Sequence, residues 1–329
     1  MPLDPEAQAY LDRVAALGMP PVQTVTPQRN REERRRVMAL RRELSGAHAP
    51  EAVAAVEERA IPAPSGDTQL RARVYTPSGA GPFPVLVYFF GGGFIMGDVD
   101  AVDEVCRMMA NRAGCIVVAA EYRLAPEHKF PGPVEDGYAA VCWSAAQAAT
   151  FNGDSDRLAV GGESAGGNIA AVACHLAQTR GGPSLCAQLL VYPPLDFVSG
   201  RTVNAQLAGQ ATLTDERMAY FDGHYFRTPE DARNPLASPV LADDLSGLPP
   251  AIILTAEYDP LAREGAAYAD ALRVAGVPVS HTCYAGMIHG FYSMPGVLRA
   301  SREAIDHASA ELRALFWPSP LTSQSAHST

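Results

Sequence analysis

One run of eight residues, Gly161-Gly162-Glu163-Ser164-Ala165-Gly166-Gly167-Asn168, restricts what this chain can fold into more than any other stretch. Arg157 to Val160 ahead of it reads as a short buried strand. Ile169 to Gln178 behind it reads as a helix, with Ile169, Val172 and Leu176 at helical spacing. A serine with glycine two residues before and two after, set between a strand and a helix, is the G-x-S-x-G elbow pattern. The turn is so tight that Ser164 must take a strained backbone conformation, and side chains at Gly162 and Gly166 would collide with the neighbouring strand and helix. The hydroxyl is thereby lifted above the sheet edge, over a helix N-terminus whose N–H groups favour developing negative charge.

The rest of the chain supplies the elements such an elbow needs. Pro5 to Leu17 and Gln28 to Leu44 read as two helices ahead of any strand; the second is very basic, with Glu32, Glu33 and Glu43 as partial balance, and reads as a solvated face. Strand patterns follow at Glu57 to Pro62, Gln69 to Tyr75 and Pro84 to Phe90, expected as an antiparallel start to a sheet. Strands then alternate with helices: helix Val102 to Ala113, strand Cys115 to Ala120, helix Pro133 to Ala148, the elbow, and strand Leu185 to Val191. The alternation resumes with strand Ala251 to Thr255, helix Leu261 to Ala275, strand Pro278 to Tyr284 and a last helix from Ala300 to Phe316. Such alternation predicts a mostly parallel sheet covered on both faces. Between Val198 and Pro239 it lapses. Leu213, Met218, Tyr220, Phe221, Tyr225 and Phe226 mark a helical insertion there, expected mainly to pack and in lesser part to line a substrate site. The expected division is helices at 1–50, a core at 51–197, an insertion at 198–239, the rest of the core at 240–317 and a disordered tail at 318–329.

Composition narrows the partners. A formal net charge of −10 argues against nucleic acid or an anionic membrane surface. No apolar run of membrane-spanning length occurs and the first ten residues lack a signal-peptide core, so a cytoplasmic protein is expected. The six cysteines are scattered without C-x-x-C spacing and read as free thiols in a reducing compartment, with no metal site.

A serine hydroxyl is a weak nucleophile until a histidine takes its proton and a carboxylate holds that histidine. In elbow folds the acid and the histidine follow the serine in chain order. Asp259 lies just past the strand Ala251 to Thr255, and His289 follows the last strand; both fall on loops at the same sheet edge as Ser164. Glu257 is the alternative acid, and His224, His281 and His307 are weaker bases by position. Gly91-Gly92-Gly93, directly after a strand, lets backbone N–H groups approach a ligand and, with the N–H of Ala165, form an anion cradle.

With these residues in place the chain resembles the hormone-sensitive-lipase family, the bacterial type IV carboxylesterases of the α/β-hydrolase fold. The resemblance runs from about residue 53 to 316. It is carried by Phe83 to Gly97, Glu121 to His128 with Phe130-Pro131, the elbow, Tyr192-Pro193-Pro194-Leu195-Asp196, Leu248-Pro249-Pro250, Glu257 to Leu261 and His289-Gly290-Phe291. It implies an α/β fold with a mostly parallel eight-stranded sheet, helices on both faces and a helical cap made by the N-terminal helices and the insertion. It further implies a nucleophile at Ser164, a base at His289, an acid at Asp259 and oxyanion donors at Gly92, Gly93 and Ala165. Short- to medium-chain acyl esters are the implied substrates, with no cofactor; the assembly is left open between monomer and homodimer. Three positions depart from the pattern: Phe90 replaces a histidine that fixes the glycine loop, Glu163 replaces aspartate, and Ala262-Arg263 replaces Arg-Asp. Two other uses of the same site are a small-molecule binding protein without catalysis, and acyl transfer or elimination on a biosynthetic intermediate.

Overall fold

A computed structural model describes residues 1–46, 49–66, 68–199 and 212–318. Its centre is one eight-stranded sheet in the order β1-β2-β4-β3-β5-β6-β7-β8. The strands are β1 (Ala55–Pro62), β2 (Gln69–Thr76), β3 (Phe83–Phe89), β4 (Ile116–Ala120), β5 (Gly153–Glu163), β6 (Ala187–Val191), β7 (Ala251–Tyr258) and β8 (Val279–Ile288). Every residue of β3, β4 and β6 is buried, which a sheet achieves only when helices cover both of its faces. The helices are α1 (Pro5–Ala15), α2 (Pro27–Leu44), α3 (Asp103–Ala113), α4 (Gly132–Gln147), α5 (Ala165–Thr179), α6 (Asp215–Tyr225), α7 (Ala262–Val274) and α8 (Arg299–Phe316). α3 packs on α8 and α4 packs on α5.

The expected antiparallel start is narrower than the sequence pattern suggested. β2 alone runs against its neighbours, pairing antiparallel with β1 and β4. β3 lies beyond β4 and is parallel to both β4 and β5. A strand that reaches the next one through a helix, as β3 does through α3, returns parallel in a crossover; strand patterns alone do not carry that information. The sheet strands otherwise lie within a few residues of their expected bounds, β5, β7 and β8 being longer than their apolar cores. The expected disordered tail lies almost wholly outside the described residues, as does the stretch 200–211 of the insertion.

The parallel strands all point their C-terminal ends toward one edge, where α/β folds bind ligands. α1, α2 and α6 face that edge. Tyr220 of α6 accepts from the Asn30 side chain of α2 at 3.0 Å and donates to the Val25 carbonyl at 2.9 Å, fastening the two helical segments together. Asp4 caps α1 through the Glu6 and Ala7 N–H groups, and its own N–H donates to the Gly286 carbonyl near the end of β8.

Candidate active site

Ser164 stands between β5 and α5 with φ 52° and ψ −123°, a region costly for any residue with a Cβ and retained only where surroundings enforce it. They do. A Cβ on Gly162 would lie 2.4 Å from the Gly166 backbone, and one on Gly166 would lie 2.1 Å from the Phe89 carbonyl oxygen. The Ser164 N–H donates to Val191 O at 2.8 Å, and Ser164 O accepts from Asn168 N, which starts α5 beneath the hydroxyl. The Asn168 amide donates to the Pro194 and Ala237 carbonyls, tying the first turn of that helix to the loops around it.

The sequence places the acid and the histidine on loops after β7 and β8, and the fold brings both to the serine. His289 Nε2 is 2.9 Å from Ser164 Oγ, and its Nδ1 is 2.6 Å from Asp259 Oδ2. The Asp259 side chain is wholly buried, and its other oxygen accepts the Leu261 N–H at 2.9 Å, so the carboxylate is fixed from both ends. The His289 ring packs beside Tyr192 at 4.7 Å between centroids, and its carbonyl accepts from the Thr212 hydroxyl. The other candidates are occupied elsewhere. Glu257 pairs with the Met1 amino group at 2.6 Å and accepts the Gly286 N–H at 2.7 Å; those partners and that N–H hold its carboxyl below the usual range. His281 meets Thr255, His224 packs edge-on against Tyr220, and His307 sits between Glu311 and Tyr284.

Gly92 and Gly93, in the loop after β3, line the same cavity as Ser164 and His289. Gly92 has φ 151°, and a Cβ there would fall 1.8 Å from the Met96 carbonyl oxygen, so no other residue fits. Its carbonyl accepts from Ile95 and Met96, which closes the loop into a tight turn. Ala165 is the first residue of α5, where an amide has no partner within its helix.

Phe90, in place of the expected histidine, secures this loop by packing. It is 1 % exposed, stacks on Tyr122 at 4.5 Å, and its carbonyl accepts the Tyr122 hydroxyl at 2.9 Å. Phe94, at the far end of the loop, stacks on Tyr225 of α6 at 3.8 Å and 5°. Glu163 also holds the region together. Its carboxylate accepts from the Gly91 N–H at 3.4 Å, from the Tyr192 hydroxyl at 2.6 Å and from the Ser293 hydroxyl, bridging the glycine loop, β6 and the loop that bears His289. Sequence reasoning registered only that Glu163 keeps the charge of an aspartate; that Tyr192 and Ser293 share it depends on tertiary contacts. Arg263 is exposed and forms no ion pair among the described residues, while Glu264 beside it accepts the Leu195 and Asp196 N–H groups.

A cavity of about 230 Å³ opens over Ser164 and His289. Its roof comes from α1, α2 and α6, including Leu11, Val14, Val37, Met218 and Phe221, with Met19 from the link between α1 and α2 and Leu213 just ahead of α6. The aromatic insertion therefore divides: Tyr225 and Phe226 are buried in a cluster with Phe94, Phe130 and Phe197, whereas Leu213, Met218 and Phe221 line the cavity. The basic helix α2 is not simply a solvated face. Arg29 and Arg36 pair with Glu33, Arg31 pairs with Glu127, and Arg13 of α1 pairs with Glu43, but Arg34 and Arg41 turn toward the cavity. Asn30, Arg34, Val37 and Arg41 recur at helical spacing on that inner face, a periodicity visible in the sequence but hidden by the count of charges. Among the described residues no group of three or more His, Cys, Asp or Glu side chains could hold a metal, and no helix is long and apolar enough to cross a membrane.

Comparison with known proteins places this architecture. A family model described as alpha/beta hydrolase fold matches residues 86–293. A carboxylic ester hydrolase of Mycobacterium tuberculosis, LipN, is 43% identical over 246 residues, covering 73% of this chain and 65% of that relative's own length. An arylesterase of Saccharolobus solfataricus is 37% identical over 252 residues, covering 76% of this chain and 81% of the relative. Among solved structures, a hyperthermophilic esterase from Pyrobaculum calidifontis superposes with a TM-score of 0.88 at 39% identity, covering 96% of this chain and 99% of the other.

Proposed function

Since the chain belongs to the α/β-hydrolase family of carboxylic ester hydrolases, we propose that it cleaves short- to medium-chain acyl esters through Ser164, His289 and Asp259. The unbroken file from Ser164 Oγ through both ring nitrogens of His289 to the buried Asp259 carboxylate is the observation that carries this reading. His289 Nε2 takes the hydroxyl proton as Ser164 Oγ attacks the ester carbonyl carbon. The resulting oxyanion is met by the N–H groups of Gly92, Gly93 and Ala165, backbone donors that gain strength as the charge develops. The carbon–oxygen bond to the alcohol then breaks, and the alcohol leaves with the proton from His289. Water, deprotonated by the same nitrogen, attacks the acyl-enzyme, and the acid departs as Ser164 regains its proton. Asp259 holds the ring in the right tautomer and stabilises its charged form.

In this scheme α1, α2 and α6 act as a cap over the acyl-binding space, and the free thiols suit a reducing cytoplasm. Ser164→Ala should abolish hydrolysis of p-nitrophenyl butyrate and block covalent labelling by a fluorophosphonate; a variant that keeps its rate refutes the assignment. Label-free wild-type protein would instead favour a binding protein. Labelled protein that passes its acyl group to an added alcohol in preference to water would favour transfer.

A further inference from the structure

Three arginines line the cavity without a carboxylate to pair with. Arg34 and Arg41 project from the inner face of α2, and Arg217 comes from α6. Arg34 donates to the Gly91 carbonyl at 3.3 Å, within the glycine loop. Arg41 donates to the Tyr10 hydroxyl at 3.0 Å, and its guanidinium lies about 4.0 Å from where a Cβ on Gly290 would stand, beside His289. Arg217 donates to the Thr212 carbonyl at 2.9 Å and lies over the Phe221 ring, and its Nε is buried with no hydrogen-bond partner. Each of these contacts uses little of a guanidinium that carries five N–H donors, and none of them neutralises its charge.

The carboxylates on the same cavity wall do not answer them. Glu33 is taken by Arg29 at 2.5 Å and Arg36 at 2.6 Å. Glu163 lies within electrostatic range of Arg34, but its oxygens receive the Gly91, Tyr192 and Ser293 donors. Asp222, also on the wall, is engaged in an interaction of its own. The arginines also oppose one another. Burial and then the Arg41 charge lower the pKa of Arg34, and burial and then the Arg34 charge lower that of Arg217 to about 10. Glu163 and Asp98 act on Arg34 only at a distance, and none of the three arginines forms an ion pair among the described residues; cations gathered in a largely buried space with so little direct compensation destabilise a fold, which an anion supplied from outside would offset. Arginine is also the side chain whose planar fork suits a carboxylate.

We propose that this site, read as an ester hydrolase as above, takes esters carrying a second, ionised carboxylate, which Arg34, Arg41 and Arg217 hold while Ser164 attacks the ester carbonyl. The charge resides either at the far end of the acyl chain or on the alcohol, and two substrate pairs separate these sources. Monoethyl glutarate against ethyl pentanoate tests the acyl side; 4-acetoxybutanoate against butyl acetate tests the alcohol side. The quantity read is the ratio of kcat/KM, anionic over neutral, which cancels any loss common to both esters, including a loss from loosening the glycine loop.

In the wild-type protein the ratio should exceed ten for one pair. Arg34→Gln, Arg41→Gln and Arg217→Gln should each lower it at least fivefold, and lysine at the same positions should restore part of it. A ratio below one for both pairs, or one that the glutamine substitutions leave in place, overturns the proposal. Glutarate binding to Ser164→Ala, followed by calorimetry, reads the arginines without turnover. Glutarate bound with no ester hydrolysed by the wild type defeats the esterase reading and keeps the anion site; neutral esters hydrolysed with no glutarate bound defeats the anion site alone.

Discussion

On the sheet side of the cavity, Ser164, His289 and Asp259 sit on loops at the ends of β5, β8 and β7, and each polar group is matched to another at hydrogen-bond distance. On the helical side, α1, α2 and α6 present aliphatic and aromatic side chains interspersed with arginines that have no carboxylate partner. The first wall is over-determined. Strand ends fix the backbone, glycines allow close approach, and buried acids are satisfied from two directions. The second wall is set by long side chains whose free donors await something else. In our reading reactivity belongs to the rigid wall and substrate choice to the other, which is the arrangement expected when binding groups can change without disturbing geometry held to a fraction of an ångström.

That division can be broken by substitutions taken in order of expected effect. Asp259→Asn should lower kcat by about 10⁴-fold with little change in KM, since an amide leaves His289 in the wrong tautomer. Steady-state kinetics on a neutral ester would check this, and a loss below tenfold would mean that another group orients the ring. Gly92→Ala should cost about 10²- to 10³-fold in kcat, because its Cβ would displace the Met96 carbonyl and turn the loop N–H groups away. Its circular dichroism should stay that of the wild type, so a globally unfolded variant would remove the interpretation. On the opposite wall, Phe221→Ala should change kcat/KM by less than about tenfold on a neutral ester and shift the preferred acyl length upward. A loss as large as that of Asp259→Asn would erase the distinction between the walls.

The smallest expected effect concerns stability. His175 lies on α5, buried against Tyr268 with its Nε2 3.3 Å from the hydroxyl, and burial lowers its pKa from 6.5 to about 4. The folded protein therefore holds this ring neutral while the unfolded chain takes up a proton. The contribution is present in full above about pH 6.5 and is lost as pH falls toward about 4, up to about 3 kcal/mol. His175→Gln should flatten the fall in melting temperature across that window, with esterase rate at neutral pH unaltered. Parallel melting curves for the two proteins would show that the rigid wall does not draw its acid limit from this residue.

The rigid wall was also the more legible in the sequence. Its parts are local patterns: Gly162-Glu163-Ser164-Ala165-Gly166 between a strand and a helix, three glycines after a strand, and an acid and a histidine just past two later strands. Backbone chemistry dictates such patterns, so they can be read without knowing what lies across from them. The opposing wall could not be read that way. Arg34 and Arg41 sit in a run of charges that looks solvated, and only the docking of α2 over the sheet edge turns them inward. The aromatic insertion posed the same difficulty, since Tyr225 and Phe221 share one helix yet one enters the core and the other the cavity. The place of β3 beyond β4 depended on a crossover, and the pairing of Glu257 with Met1 on a contact across almost the whole chain.

The stacking of Phe94 on Tyr225 has a practical consequence for anyone who would re-engineer the molecule. The two rings fasten the helical insertion to the glycine loop, so exchanging residues 212–226 for those of another esterase transplants one half of a clasp. A chimera that keeps Phe94 but brings a foreign insertion loses its grip on the glycine loop, and with it on the donors we propose for the oxyanion. Swaps will have to carry both aromatic partners, or be made between insertions that already end in the same ring.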